Sequence, residues 1–318
     1  MCGMGKASRT KQAPDRRARI AAQREAARRS EQRKRIYIAG GSILAVIIVV
    51  VAFVLIKGNS NGSGSTGSNG PTGTALTTLT HQVTGVPVST QDSVGAGTVA
   101  SSNFMNASGI ASASANDQSY FATVNGSPLT SGGKPEVLYI GAEYCPFCAA
   151  QRWAMIVSLS RFGAFSGLST IHSSSTDIYP NTPTFTFYGS TYTSKYVTFT
   201  PVEETTETET ALQSPTAAQQ ALIAKYDPGT SSGSPIPFID IGNKYVEVGN
   251  LSQYGPTVLA GKTWSQIAAA LTQPNSTIAK GILGSANYMT AGICTQTGNE
   301  PASACTPAIK ALEGNFAS

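Results

Sequence analysis

The chain has 318 residues, with 22 Lys plus Arg against 17 Asp plus Glu, two His and five Cys. Its formal charge of +5 averages unlike parts: residues 1–35 carry twelve basic and three acidic side chains, a net of +9, and residues 57–318 carry ten basic and fourteen acidic, a net of −4. That split disfavours a uniformly basic nucleic-acid binder, a composition with 41% hydrophobic residues disfavours wholesale disorder, and two His give little basis for a His-rich metal site.

Between the basic arm, residues 1–35, and the acidic remainder lie residues 36–56, IYIAGGSILAVIIVVVAFVLI, a run with no charge. At about 1.5 Å rise per residue it crosses the roughly 30 Å hydrocarbon core as a helix. A cleaved signal peptide is the rival, but its apolar region would be shorter and followed by a small-residue cleavage site. Arg28, Arg29, Arg33, Lys34 and Arg35 precede the run, so the positive-inside rule puts the N-terminus in the cytoplasm and the rest outside, in a single-pass protein of the cell membrane. The arm reads as a topology signal, with anionic lipid or nucleic acid as alternative contacts. Residues 57–74 have the Gly, Ser, Asn and Thr composition of a flexible tether. The extracytoplasmic domain, residues 75–318, opens with an approach segment, 75–135, read as largely extended, with short strands or a helix around 100–115.

Clear order begins at Glu136. Val137 to Ile140 form a continuous apolar run between Pro135 and Gly141, the pattern of a buried strand. Cys145-Pro146-Phe147-Cys148 follows, and then AAQRWAMIVSLSRFG, whose apolar positions 149, 153, 156 and 157 make the stripe of an amphipathic helix ending near Gly163. Pro146 suits the first helical turn, where a missing N–H costs nothing. Cys145 at the helix N-terminus would have its thiolate stabilised by unpaired N–H groups, below the free value of about 8.5. Cys148, one turn on, is placed to resolve a mixed disulfide formed at Cys145. Glu143 either tunes proton transfer there or faces water, and Trp153 belongs to the core.

A second element lies beyond a helical stretch from Thr216 to Tyr226. Ser234-Pro235-Ile236-Pro237 leads into Phe238 to Ile241, a two-residue turn at Gly242-Asn243, and a returning strand Lys244 to Val248. With the strand, C-x-x-C and helix, Ile236-Pro237 resembles the thioredoxin superfamily, in which a cis-proline lies against the dithiol and the residue before it pairs with a substrate strand. The resemblance implies an α/β thioredoxin-like fold, a catalytic set of Cys145, Cys148 and Pro237, and substrate contacts from Ile236, Pro146 and Phe147. The runs YIGAEYCPFCAAQRWAMIVSLSRFG, YTSKYVTF, PFIDIGNKYV and SANYMTAGIC are similar to domain of unknown function family 929, membrane-anchored thioredoxin-like proteins. That family has no settled reaction to carry over.

The 88 residues between Cys148 and Pro237 exceed a simple crossover. They read as a strand near Leu168 to Ser173, an inserted β-hairpin, and a solvated acidic loop holding Glu203, Glu204, Glu207 and Glu209. Trp264 to Leu271 reads as a helix capped by Thr263, and Asn275 to Ile293 as another ending at Cys294. Cys294 and Cys305 form either a structural disulfide, worth roughly 3 kcal/mol by loop closure, or a second redox pair. Zinc is disfavoured, because only one C-x-x-C knuckle exists. A Cys–His pair would need His172 or His81 near Cys145, and Cys2 is assigned no role.

The function expected is thiol-disulfide exchange on exported proteins, without cofactor or metal, with any electrons crossing the membrane supplied by a partner protein. The Pro-Phe dipeptide resembles the Pro-Tyr of glutaredoxins, and the direction of electron flow stays open. The alternative is a non-catalytic envelope assembly module with a static CxxC disulfide.

Overall fold

The apolar run at 137–140 is the centre of the structure. The computed structural model describes residues 70–98, 105–106, 121–226, 236–248 and 254–316. The basic arm, the apolar run at 36–56 and most of the Gly/Ser-rich tether lie outside the described residues. Among the described residues no helix is long and apolar enough to cross a membrane.

In chain order come α1 (Gly73–Thr84), α2 (Val88–Val94), β1 (Met105–Asn106), β2 (Ala122–Thr123), β3 (Thr130–Ser131), β4 (Lys134–Gly141) and α3 (Pro146–Leu159). Four strands follow, β5 (Gly163–Ser166), β6 (Ser169–His172), β7 (Pro183–Thr186) and β8 (Thr191–Ser194), then β9 (Thr198–Glu203) and α4 (Ala217–Tyr226). The chain closes with β10 (Phe238–Ile241), β11 (Tyr245–Val248), α5 (Trp264–Leu271), α6 (Thr277–Gln296) and α7 (Pro307–Glu313).

The result is a mixed α/β domain around a mixed sheet. β4 pairs antiparallel with β10, which pairs antiparallel with β11, and parallel with β9. Alternation along β4 splits its side chains between two cores, as a strand buried on both faces requires. Val137 and Tyr139 join Trp153 of α3, Ile239 and Ile241 of β10 and much of α6 in the larger core. Leu138 and Ile140 join Val202, Ile223, Tyr226 and Phe238 in the smaller one.

Three expectations change. The stretch read as extended contains α1 and α2, with Leu79 and Val83 of α1 buried and α1 packed on α3 and α5; this packing overrides the modest helix propensity of its Thr residues. The parallel neighbour of β4 is β9, which runs into the stretch read as a solvated loop, while the strand near Leu168 to Ser173 exists as β6 but pairs with β7. β5 pairs with β8, so the β6–β7 hairpin is nested inside β5–β8. The β10–β11 turn holds three residues, since Ile241 pairs with Tyr245; Gly242 and Asn243 both have positive φ.

Other expectations hold. α5 starts behind Thr263, whose side chain and that of Gln266 form a capping box. α6 starts behind Ser276 and carries Cys294, which is bonded to Cys305. Just beyond the C-terminal end of α3, the Arg161 guanidinium donates to Ala304 O (2.8 Å), Gln91 Oε1 (3.2 Å) and Asp92 Oδ1 (3.3 Å).

Candidate functional site: a dithiol at a helix N-terminus

Cys145 is the N-cap of α3 and Pro146 its first residue. The Cys145 Sγ accepts the Cys148 N–H at 3.2 Å, the role that a Ser or Asp oxygen usually fills. Both cysteines are free thiols and buried, Cys145 with 5% of its surface exposed and Cys148 with none. Phe147, between them, is half-buried and meets Tyr179 edge-on, with ring centroids 5.7 Å apart.

The loop that delivers Cys145 is fastened on several sides. The Glu143 N–H donates to Thr205 O (2.9 Å), the Glu204 N–H to Gly141 O (2.7 Å) and the Ser174 N–H to Tyr144 O (2.9 Å). Ala142 O accepts from both the Cys145 N–H (3.3 Å) and Arg152 Nη2 (2.8 Å). Arg152 is fully buried and paired in two contacts with Glu203, Nε to Oε1 at 2.8 Å and Nη2 to Oε2 at 2.6 Å. Each charge is a strong reason for the other, because a lone buried ion costs several kcal/mol.

The charges around the dithiol act in opposite directions on its two sulfurs. Burial alone would push the Cys145 thiol up; hydrogen bonds from the Cys148 thiol and N–H and from the Phe147 N–H, with the Arg152 charge, reverse this and leave it lowered. Burial pushes the Cys148 thiol well up, and the hydrogen bond to Cys145 and its charge add to that. The arrangement favours ionisation at Cys145 over Cys148. Tyr144, beside them, is pushed up to about 12, by burial first and then by the two cysteines.

The sequence profile of the family described as Domain of unknown function (DUF929) matches residues 120–295, more than half of the chain. The chain belongs to that family. The DUF929 segment includes β2 through Cys294 and leaves out α1, α2, Cys305 and α7. No curated protein and no solved structure gave a significant match to the chain.

The site residues singled out from sequence fall into two groups, all but Cys305 inside the DUF929 segment. Cys145, Pro146, Phe147 and Cys148 form one unit. Pro237 belongs at the same end of the sheet: Phe238 pairs with Ile140, which puts Pro237 across from Gly141. The Ile236–Pro237 peptide bond is cis, and Ile236 is half-buried against the smaller core. Cys294 and Cys305 are bonded to each other and buried, with Cys294 at the end of α6. His172 ends β6 with its ring 4.4 Å from that of Trp264. Among the described residues no group of three or more His, Cys, Asp or Glu is gathered closely enough to hold a metal ion.

Sequence pattern misplaced several polar residues. α3 is not amphipathic: every residue in it except Phe147 is buried, including Gln151 and Arg152. Gln151 Nε2 donates to Glu247 Oε2 of β11 at 2.5 Å, and Glu247 is fully buried, its carboxyl held well up by burial against the opposing effect of Gln151. Glu203 is fully buried as the partner of Arg152, not part of a solvated cluster, while Glu207 and Glu209 are exposed. Glu143 does not face water; it is buried, accepts from Thr186 Oγ1 (2.5 Å), and has its carboxyl raised by burial. These pairings join residues 43 to 96 positions apart. The one local signal was the charge of Arg152 inside an otherwise uncharged helix.

Proposed function

We propose that the protein is a thiol-disulfide oxidoreductase with a thioredoxin-like domain, held by the apolar run at 36–56 on the outer side of a membrane, where it acts on exported proteins. The observation that carries this reading is Cys145 as the N-cap of α3, its sulfur accepting the Cys148 N–H and lowered toward thiolate while Cys148 is raised. A cysteine so placed is a nucleophile, and a second thiol one turn away is a resolving group. Pro237, across from Gly141, bounds the site from β10, and Ile236, Pro146 and Phe147 offer the contacts for a substrate chain. The dithiol supplies the chemistry without a cofactor.

The near-complete burial of Cys145 favours a second reading, an envelope assembly module in which the CxxC is a static disulfide. The two separate on one experiment. Alkylation of the reduced full-length chain, followed at Cys145 against pH, is expected to be rapid well below pH ~8, and Cys145→Ser is expected to abolish reduction of a protein disulfide such as insulin. Slow labelling with no exchange in the unmodified protein would leave the static module.

A further inference from the structure

The Tyr139 side chain is fully buried and its hydroxyl has no hydrogen-bond partner. A buried hydroxyl without a partner is unfavourable, and Phe would fill the same space without it. The hydroxyl lies over Gly141: a Cβ added there would come within 2.1 Å of Tyr139 Oη and 2.4 Å of Cζ. The phenol therefore runs along β4 toward the loop that carries Cys145, and glycine at 141 leaves the room it occupies. Apart from burial, the groups whose charges act on it are Arg152, Cys148, Glu203 and Cys145. The Glu203 carboxylate is already engaged by Arg152 and by the Phe187 N–H. Arg152 Cζ stands 5.9 Å from the Tyr139 ring centroid, and its Nη1 is a second buried donor without a partner.

We propose that Tyr139 is a hydrogen-bond donor held for the thiolate of Cys148, with Arg152 Nη1 as its companion, and that together they support the resolving step. The proposal rests on the thiol-exchange reading above. In that step's sequence the Cys145 thiolate attacks a substrate disulfide, forming a mixed disulfide and expelling one substrate thiolate with the electron pair of the broken S–S bond. That thiolate takes the proton of the Cys148 thiol. The Cys148 thiolate then accepts the Tyr139 O–H and the Arg152 N–H until it attacks the Cys145 sulfur. The Cys145–Cys148 bond forms, the mixed disulfide breaks, and the second substrate thiolate leaves and is protonated by water. The substrate disulfide is reduced and the dithiol oxidised; oxidation of a substrate dithiol runs through the same thiolate in reverse. Because burial holds the Cys148 thiol up, this is the step that most needs donors aimed at negative charge.

The test uses the reduced full-length chain in detergent and dithiodipyridine as the disulfide. Attack by Cys145 releases one pyridinethione, and attack by Cys148 on the resulting mixed disulfide releases a second. Tyr139→Phe is expected to leave the first phase largely unchanged, to slow the second about tenfold, the effect of losing one hydrogen bond to an ionised group, and to move its pH midpoint up by about one unit. Its melting temperature is expected to equal or exceed that of the parent, because an unpaired hydroxyl has been removed. An unchanged second phase, or equal slowing of both phases with a lower melting temperature, overturns the role for Tyr139. Absence of a second phase in the parent protein removes the exchange reading itself, a distinct failure.

Discussion

Buried carboxyls in this domain are held in different ways, and the way sets what each does when pH changes. Glu203 has a guanidinium, Glu143 a threonine hydroxyl and Glu247 an amide. Asp240 of β10, with no exposed surface, has only the Asn243 N–H at 2.6 Å on Oδ1, and its Oδ2 has no partner. Burial pushes its carboxyl up to about 7, the Glu136 charge adding and the Asn243 N–H and Lys225 opposing. The unfolded value is near 3.8, so between those limits the native state binds more protons than the unfolded one. The stability Asp240 contributes is therefore present at low pH, falls as pH rises from about 4 to about 7, and is flat above. Asp240→Asn keeps an oxygen for the Asn243 N–H and removes the charge. Thermal melts are expected to show the variant gaining on the parent by about 3 kcal/mol between about pH 5 and pH 8, at about 1.4 kcal/mol per unit up to about pH 7; a constant difference across that range would refute the assignment.

At the scale of elements, the last helices depend on a covalent tie. Cys294 at the end of α6 and Cys305 before α7 have Cα atoms 5.7 Å apart and sit in the larger core. Replacing both with Ala is expected to lower stability by about 3 kcal/mol, from the loop they close, and to leave both phases of pyridinethione release intact. Loss of exchange with stability preserved would instead make the pair a second redox centre. Which elements sequence could reveal follows from the range of the forces that form them. The N-cap at Thr263, proline at the start of α3 and the place, though not the length, of the Gly-Asn turn between β10 and β11 are local chemistry, and each was legible. β9 was not, because Thr198–Glu203 carries a proline and ends on a glutamate. Both make sense only in the fold: proline is tolerated in a strand that, among the described residues, has β4 as its one paired neighbour, and the glutamate meets an arginine 51 residues away. For the same reason the dithiol was visible from its motif, whereas Tyr139, Arg152 and Glu203 required the tertiary pairing.

For the whole molecule, the sequence divides into a basic arm, an apolar run and a weakly acidic domain. In the proposed topology a protease added to intact cells, or to spheroplasts where a wall blocks access, is expected to degrade the domain beyond residue 57 and spare a tag placed on the N-terminus. Loss of the tag with survival of the domain would reverse the orientation.

The contacts of Arg161 bear on where this protein can be cut. The guanidinium that fixes the rear of the dithiol helix reaches Gln91 and Asp92 before the family segment begins and Ala304 after it ends. The stretch recognisable by family likeness is thus narrower than the stretch that folds as one piece: trimmed to 120–295, the chain would keep Cys145 and Cys148 yet lose the disulfide partner of Cys294 and most of the contacts that anchor the rear of the helix presenting the dithiol.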